Sequence, residues 1–399
     1  MKIYKIRYRR QLMADAGRCY AYFRTVLHPR FDWFCTSQIR PDRSGPEVTF
    51  SMESSSKFPI RWIPAFGVGG SRLGLILLVV GLAACGGGSK AAKGDVVFTA
   101  ISSGNTDIYR VDDESGAPLR LTNAVGEDFA PAWSPKKDMI AFLSSRNGAP
   151  ALWLMDWNGE SKRQVSEPGT VINDFRWAPD SKGIGMEIAN GKFSWIAVLD
   201  IESGDVEPLT SRTESVRIGD WSPDGEWLLY AVVDGETTGI RRRNPNGVDE
   251  ITITTGPDTN PRWSPDGRRI AFNRVTGTDG NTSTDLVVTD RDGNQITNVA
   301  PDDYDETSFD WAPDSKHIMF VSEASGNAEI YIVTPDGRDT KQLTSNRVID
   351  AAPRWNSNGS SILFLSEGDG SFDIYTMNKN GEQQKRMTSI TDVILEADW

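Results

Sequence analysis

A tryptophan recurs along most of this chain at nearly constant spacing. It occupies positions 133, 177, 221, 263, 311, 355 and 399, so the intervals are 44, 44, 42, 48, 44 and 44 residues. A repeat of this length is typical of propeller blades, which are four-stranded sheets that bury their apolar faces only by stacking on neighbours. The spacing therefore predicts an all-β protein, a closed β-propeller over residues 96–399.

The residues around each tryptophan repeat as well. The copies read PAWSP, RWAPDS, DWSPDG, PRWSPDG, DWAPDS and PRWNSNG. Proline presets the backbone for a tight turn, aspartate bonds to nearby backbone amides, and glycine accepts a positive φ, so this segment predicts a short hairpin after the tryptophan strand. Thirty-seven glycines and twenty-one prolines supply turns for many short strands.

The order of the predicted strands indicates how the ring closes. Before Trp133 the chain supplies VVFTAI, DIYRVD and LRLT, which correspond to strands two, three and four of a blade without a first strand. After the sixth complete blade it supplies VILEADW. We therefore expect a seventh blade built from both chain ends, which removes the open sheet edge. Six blades are the alternative.

These motifs resemble the WD40-like PD40 repeat of the TolB propeller family. The clearest copy is Pro261 to Gly267, followed by Ile270, Ala271 and Phe272. The resemblance covers residues 96–399 and implies an extracytoplasmic protein-binding module. TolB also has a separate N-terminal α/β domain and is expected to have six blades, so the resemblance carries over the fold and a general binding role only.

An apolar run precedes the propeller. Residues 73–84 read LGLILLVVGLAA, follow Arg61 and Arg72, and end at Cys85. The run is shorter than the roughly 20 residues that span a bilayer and is typical of a signal peptide. Residues 82–85 resemble a bacterial lipobox, which implies a lipid on Cys85, a signal peptide over 52–85 and a flexible tether over 86–95. An uncleaved signal anchor and a buried core segment are the alternatives.

The stretch before this signal, residues 1–51, is basic and aromatic without clear periodicity. A signal peptide does not normally begin so far into a chain, and Met52 offers a suitable start. We expect residues 1–51 to be a non-native or disordered extension, with a genuine cytoplasmic extension as the alternative.

Charge divides the chain at Cys85. Thirteen basic and five acidic residues precede it, whereas thirty basic and fifty acidic residues follow it. The acidic part repels phosphate backbones, so we expect no nucleic acid partner. It contains no cysteine beyond Cys85 and a single histidine, His317, which argues against cysteine-based metal sites and histidine-dependent hydrolase chemistry.

Loops between strands two and three, and between successive blades, vary in sequence and share one face, the variable face, where function is expected. Acidic residues there include at least one for most blades. A rim of carboxylates could bind a cation or the basic end of a peptide, or could simply be solvated. These candidate binding residues are Glu127, Asp128, Asp174, Asp258, Asp303, Asp305, Glu306, Asp350 and Asp392.

The 48-residue interval contains an inserted segment, TGTDGNTSTD, over residues 276–285. Asp279, Asn281, Ser283 and Asp285 alternate in it, a spacing at which oxygen side chains wrap Ca²⁺. The sixth position is threonine rather than glycine, so a polar loop without metal is the alternative. Ca²⁺ is the one cofactor considered, and no other is expected.

These observations together predict a non-enzymatic lipoprotein, exported and anchored on the outer side of the membrane. It would be a monomeric propeller that binds an envelope protein or a peptide. The alternative is a carbohydrate-active hydrolase or lyase with a pair of carboxylates on the variable face.

Overall fold

A computed structural model describes residues 95–112, 116–234, 237–246, 248–278, 281–368, 370–388 and 392–399. Predictions for residues 1–94, including Cys85, the signal peptide and almost all of the tether, lie outside this part. The described residues contain no helix, so none of them forms a helix that could cross a membrane.

The described strands form seven antiparallel four-stranded sheets. In chain order, the strands are β1 (Val96–Ser102), β2 (Asn105–Val111), β3 (Leu119–Arg120), β4 (Asp128–Trp133), β5 (Met139–Ser144), β6 (Ala151–Asp156), β7 (Arg163–Gln164), β8 (Val171–Trp177), β9 (Gly183–Asn190), β10 (Phe193–Asp200), β11 (Val206–Pro208), β12 (Ser215–Trp221), β13 (Leu228–Asp234), β14 (Gly239–Arg243), β15 (Glu250–Thr252), β16 (Asp258–Trp263), β17 (Arg269–Thr278), β18 (Asn281–Asp290), β19 (Thr297–Asn298), β20 (Phe309–Trp311), β21 (Ile318–Ser322), β22 (Glu329–Val333), β23 (Thr340–Gln342), β24 (Asp350–Trp355), β25 (Ser361–Gly368), β26 (Ser371–Asn378), β27 (Lys385–Arg386) and β28 (Val393–Asp398). Blades 1 to 6 begin with β4, β8, β12, β16, β20 and β24, and blade 7 has the order β28, β1, β2, β3.

The predicted closure is confirmed. Strand β28 from the C-terminal end pairs with β1 from the N-terminal end, with Val97 opposite Asp398 and Phe98 opposite Ala397. Seven blades form, so the six-blade alternative is wrong.

Neighbouring blades pack through the apolar side chains of their strands. Leu143 and Leu152 of blade 1 share one buried cluster with Ile172 and Met186 of blade 2. Blades 6 and 7 pack in the same way through Leu363 and Phe98. Each sheet therefore buries its faces against its neighbours, as the repeat length predicts.

Three of the recurring tryptophans form a hydrogen bond to the blade before their own. The indole N–H of Trp177 donates to the carbonyl of Ala132 at 3.2 Å, and that of Trp221 donates to the carbonyl of Arg176 at 3.1 Å. Trp133 makes the equivalent bond to Asp95 at 3.1 Å. The indole nitrogens of Trp263, Trp311 and Trp355 have no such partner among the described residues, so the apolar ring, packed in a cluster between blades, is the feature that the repeats share.

Two further repeated motifs have structural roles. The predicted SPDG hairpins form with glycine at positive φ, 74° at Gly225 and 68° at Gly267. The threonine of the Leu-Thr motif accepts a hydrogen bond from a strand-three amide, as Thr122 does from Ile108 at 2.9 Å and Thr344 does from Ile330 at 2.9 Å. Both motifs therefore stabilise the blades.

Candidate functional site

The first strands of the blades surround the propeller axis. Strands β8, β12, β16, β20, β24, β28 and β4 contact one another in that order, and the Trp177 indole on β8 bonds to Ala132 on β4. The residue immediately before each of the seven tryptophans is therefore repeated around the axis. Blade 1 has Ala132 there. Blades 2 to 7 carry arginine and aspartate in strict alternation, and we call these six residues the axial ring: Arg176, Asp220, Arg262, Asp310, Arg354 and Asp398.

The aspartates of the axial ring are bound by the next blade. Asp220 accepts the backbone N–H of Trp263 at 3.1 Å, and Asp398 accepts that of Trp133 at 2.9 Å. Burial raises the pKa of Asp220 and of Asp310, while the neighbouring arginines and these amide bonds oppose the rise. These carboxylates therefore fasten the blades together and place partly desolvated charge at the axis.

The arginines of the ring differ in their partners. Arg176 forms an ion pair with Asp174, with 2.5 Å between Nη1 and Oδ1. Burial disfavours the charge of Arg176, but Asp174 and Asp220 outweigh this effect and raise its pKa. Arg262 forms no ion pair with another described residue. Its pKa falls to about 10, chiefly because of burial and also because Arg176 and Arg354 carry like charges.

Interactions between blades that are not adjacent show that these groups face a common space. Arg262 of blade 4 acts on Arg176 of blade 2, and Glu396 of blade 7 is repelled by Asp174 of blade 2. Ring residues are half-buried. They therefore line a narrow central channel in which electrostatic interactions are stronger than in bulk water.

A second level of charge lies nearer the variable face, two residues earlier in the first strands. Asp174 is 40% exposed there, and Glu396 accepts the Ala130 amide at 2.5 Å and the Thr99 hydroxyl at 2.9 Å. Burial raises the pKa of Glu396, and Asp174 adds to the rise. Glu187 also faces this region, and its oxygens accept Arg217 at 2.6 Å and the Ile218 amide at 3.0 Å.

Three of the predicted acidic residues are structural. Asp128 is fully buried, and both of its oxygens accept Arg146 at 2.8 Å. Asp258 is 1% exposed and accepts Arg274 at 2.6 and 2.7 Å. The prediction that these groups form an accessible rim is wrong at these two positions, because each carboxylate turns inward to an arginine. Arg146 lies just after the adjacent strand β5, and Arg274 lies in the adjacent strand β17.

Asp350, the third, is also fully buried and accepts the Ser366 hydroxyl at 2.5 Å and the Asn346 amide at 2.7 Å. Burial raises its pKa despite these bonds. Its position at the start of β24 matches those of Asp128 and Asp258 in their blades, so the same inward orientation recurs.

The other predicted residues are dispersed. Glu127 and Asp303 are exposed, Asp392 is half-buried, and half-buried Asp305 accepts the Thr284 amide at 2.7 Å. Asp174 is the predicted residue that lies in the charged channel. The predicted residues thus do not form one rim, and their role in binding stays a prediction.

Glu306 is buried without a partner. It is 1% exposed, and neither carboxylate oxygen has a hydrogen-bond partner among the described residues. Burial raises its pKa to about 9, and the charges of Asp302 and Asp285 add to this. The Ser322 hydroxyl and the Leu286 amide oppose the rise without lying in hydrogen-bond geometry. Glu306 is therefore held neutral at pH 7.

The inserted segment lengthens the hairpin of β17 and β18. Thr278 and Asn281 are the last paired residues before its turn, and Asp279 and the side chain of Asn281 lie outside the described part of the chain. Asp285 accepts the Ser283 hydroxyl at 2.9 Å, the Thr276 hydroxyl at 2.9 Å and the Asn298 amide at 2.6 Å. The described residues contain no group of three or more metal-ligating side chains, and calcium binding here stays a prediction.

The axial ring was missed by the sequence analysis, although its signal is legible. Directly before the seven tryptophans the sequence reads Ala, Arg, Asp, Arg, Asp, Arg, Asp. The alternation points to a shared site only once the first strands are known to surround the axis.

Comparison with known proteins identifies the domain. The family model described as the TolB beta propeller domain matches residues 92–254 and 240–399. The chain is 29% identical over 203 residues to the Tol-Pal system protein TolB of Francisella tularensis subsp. holarctica, covering 49% of this chain and 46% of that protein. It is 23% identical over 300 residues to dipeptidyl-peptidase 5 of Porphyromonas gingivalis, covering 60% and 44%. The chain thus spans less than half of these relatives.

Among solved structures, an oligogalacturonate lyase from Vibrio parahaemolyticus matches with a TM-score of 0.57 and 13% identity, covering 75% of this chain and 87% of that one. At this identity the match supports the fold alone. The prediction that the protein is not an enzyme is wrong as an inference from its fold and family, because a peptidase is among its relatives and a lyase shares its architecture.

Proposed function

The chain belongs to the TolB beta propeller domain family, and we propose that its propeller binds a peptide segment of an envelope protein at the variable-face end of the central channel. The observation that carries this proposal is the convergence of arginine and carboxylate groups on the axis, with Asp174 and Glu396 nearest the variable face. A peptide offers groups of both signs, and such a channel can bind both.

Location outside the cytoplasm is part of the proposal. Relatives named as Tol-Pal system TolB proteins and the lipobox-like residues before Cys85 support export and lipid anchoring. Lipid anchoring would keep the propeller near envelope partners, and the small polar residues after Cys85 would act as its tether.

Site-specific photocrosslinking tests the binding site. A photoreactive residue in place of Ser308, at the variable-face level of the channel, is expected to crosslink a partner in envelope membranes. The control replaces Ser360, an exposed residue in a hairpin turn at the other face. Asp174→Asn should reduce the Ser308 product. Equal products from both positions, or none from Ser308, would refute binding of a protein partner in the channel.

A carboxylate-dependent enzyme acting on carbohydrate is the second candidate. Burial raises the pKa of Glu396, and the nearby Asp174 adds to the rise, an arrangement of two carboxyl groups that general acid catalysis uses. Incubation with oligogalacturonate, with Glu396→Gln as control, tests it. Product formation by the unmodified protein alone would support this candidate, and absence of turnover would reject it for this substrate.

A further inference from the structure

Two arginines of the axial ring lack a partner. Arg176 is paired with Asp174, and the ring aspartates accept backbone amides of the next blade. Arg262 and Arg354, in contrast, form no ion pair or side-chain hydrogen bond with any described residue. Asp220 and Asp310 act on them at longer range. Two guanidinium groups therefore face the channel with their donors unused.

The backbone before both arginines is irregular in the same way. Asn260 and Ala352 have positive φ values of 52° and 49°, and the pairing register shifts between Thr259 and Arg262 and between Ala351 and Arg354. A bulge of this kind redirects the side chains that follow it. The same strained conformation in blades 4 and 6 indicates that the two arginines share one orientation relative to the axis.

Confinement makes these unpaired charges costly. Arg262 and Arg354 repel each other, and burial lowers the pKa of Arg262 to about 10. A bound anion would relieve both effects, because charge-assisted hydrogen bonds to guanidinium are strong and can be bidentate. The site is thus incomplete without a negatively charged ligand group.

We propose that Arg262 and Arg354 together bind a carboxylate group of the channel ligand, a proposal that rests on the proposed function and names the chemistry the ligand must carry. The carboxylate is the terminal or side-chain group of the bound peptide. A monoanion fits better than a phosphate dianion, because carboxylates outnumber arginines along the channel and would repel the additional charge.

Binding of small probes to the full chain tests this assignment. Acetyl-diglycine provides a carboxylate, its amide provides the same backbone without the anion, and inorganic phosphate provides the competing oxyanion. Calorimetric titration should detect the acid and not the amide, with phosphate weaker than the acid. Arg262→Gln and Arg354→Gln should each weaken binding of the acid by about tenfold or more.

Matched variants separate binding from folding. Arg268→Gln makes the same charge change on an exposed hairpin turn and should bind as the unmodified protein does. Arg262→Lys keeps the charge but lacks the planar guanidinium group, so it should bind the acid with intermediate affinity. Its melting temperature should equal that of the unmodified protein, which shows that the variant is folded. Equal binding of acid and amide, tighter binding of phosphate, binding of no probe, or full binding by both glutamine variants would overturn the proposal.

The two proposals fail in different ways. Partner crosslinking from position 308 with no arginine-dependent carboxylate binding would refute this site and leave the proposed function intact. Arginine-dependent carboxylate binding without crosslinking would support the site and refute the protein partner.

Discussion

Asp310 on β20 accepts a hydrogen bond from the backbone N–H of Trp355 on β24, with 3.0 Å between Oδ2 and the nitrogen. The equivalent bonds of Asp220 and Asp398 join blade 3 to blade 4 and blade 7 to blade 1. Each donor blade carries the Pro-x-Trp sequence and a positive φ two residues before its x position. The repeated bond therefore fastens the blades whose first strands are bulged.

Loss of the Asp310 bond should destabilise the propeller. Asp310→Ala leaves the buried Trp355 amide without its acceptor, which costs about 1–3 kcal/mol of unfolding free energy. Asp310→Asn retains an acceptor and should cost less. Urea denaturation followed by tryptophan fluorescence measures both. Asp303→Ala, an exposed position, is the control, and equal stability of the Asp310→Ala and Asp303→Ala variants would contradict the role of this bond.

The closing strand should be essential for stability. Ile394 is fully buried on β28 opposite Ala100 of β1, so Ile394→Ala removes core contacts where the chain ends meet and should cost about 2–5 kcal/mol. Val393→Ala, at a neighbouring position that is 38% exposed, should change stability by less than about 1 kcal/mol. Thermal unfolding monitored by circular dichroism compares them. Similar melting temperatures would mean that closure contributes little.

The blades and their closure were predictable because both depend on local, repeated chemistry. The tryptophan spacing gives the length of one blade. The missing first strand of the last blade indicates that the C-terminal strand, β28, completes it. Whether an acidic side chain is buried or exposed, and what it binds, was not predictable in this way. The sequence places Asp128 on a variable loop, whereas in the structure it begins β4. Its burial depends on Arg146, which lies just beyond the end of β5.

In the axial ring, too, the sequence predicts which residues are present but not which partners they bind. The alternation of arginine and aspartate is present in the sequence, but adjacent opposite charges predict ion pairs between blades. Asp310 instead binds a backbone amide, and Arg354 is left unpaired. That outcome depends on bulges in the first strands, which sequence periodicity does not report.

Lipid attachment is expected at Cys85. Cys85→Ser removes the thiol that would carry the lipid, so the protein should lose incorporation of labelled palmitate and shift from the membrane to the soluble or unprocessed fraction. Ser89→Ala is the control, since that residue lies in the predicted tether after the lipid site. Membrane association and labelling that persist in Cys85→Ser would indicate an uncleaved signal anchor or another attachment.

Stability should depend on pH through Glu306. Its pKa is raised from 4.5 to about 9 in the folded chain, so the folded state retains a proton that the unfolded state releases. The unfolding free energy should therefore fall as pH rises from about 4.5 to about 9, by up to about 1.4 kcal/mol per pH unit from this group. Glu306→Gln keeps a neutral side chain at every pH and should flatten that dependence, becoming more stable than the unmodified protein at alkaline pH.

Urea denaturation across this pH range measures the unfolding free energy of both proteins, with the exposed Glu127→Gln as the control. Parallel profiles for the Glu306→Gln variant and the unmodified protein would show that Glu306 ionises normally in the folded chain.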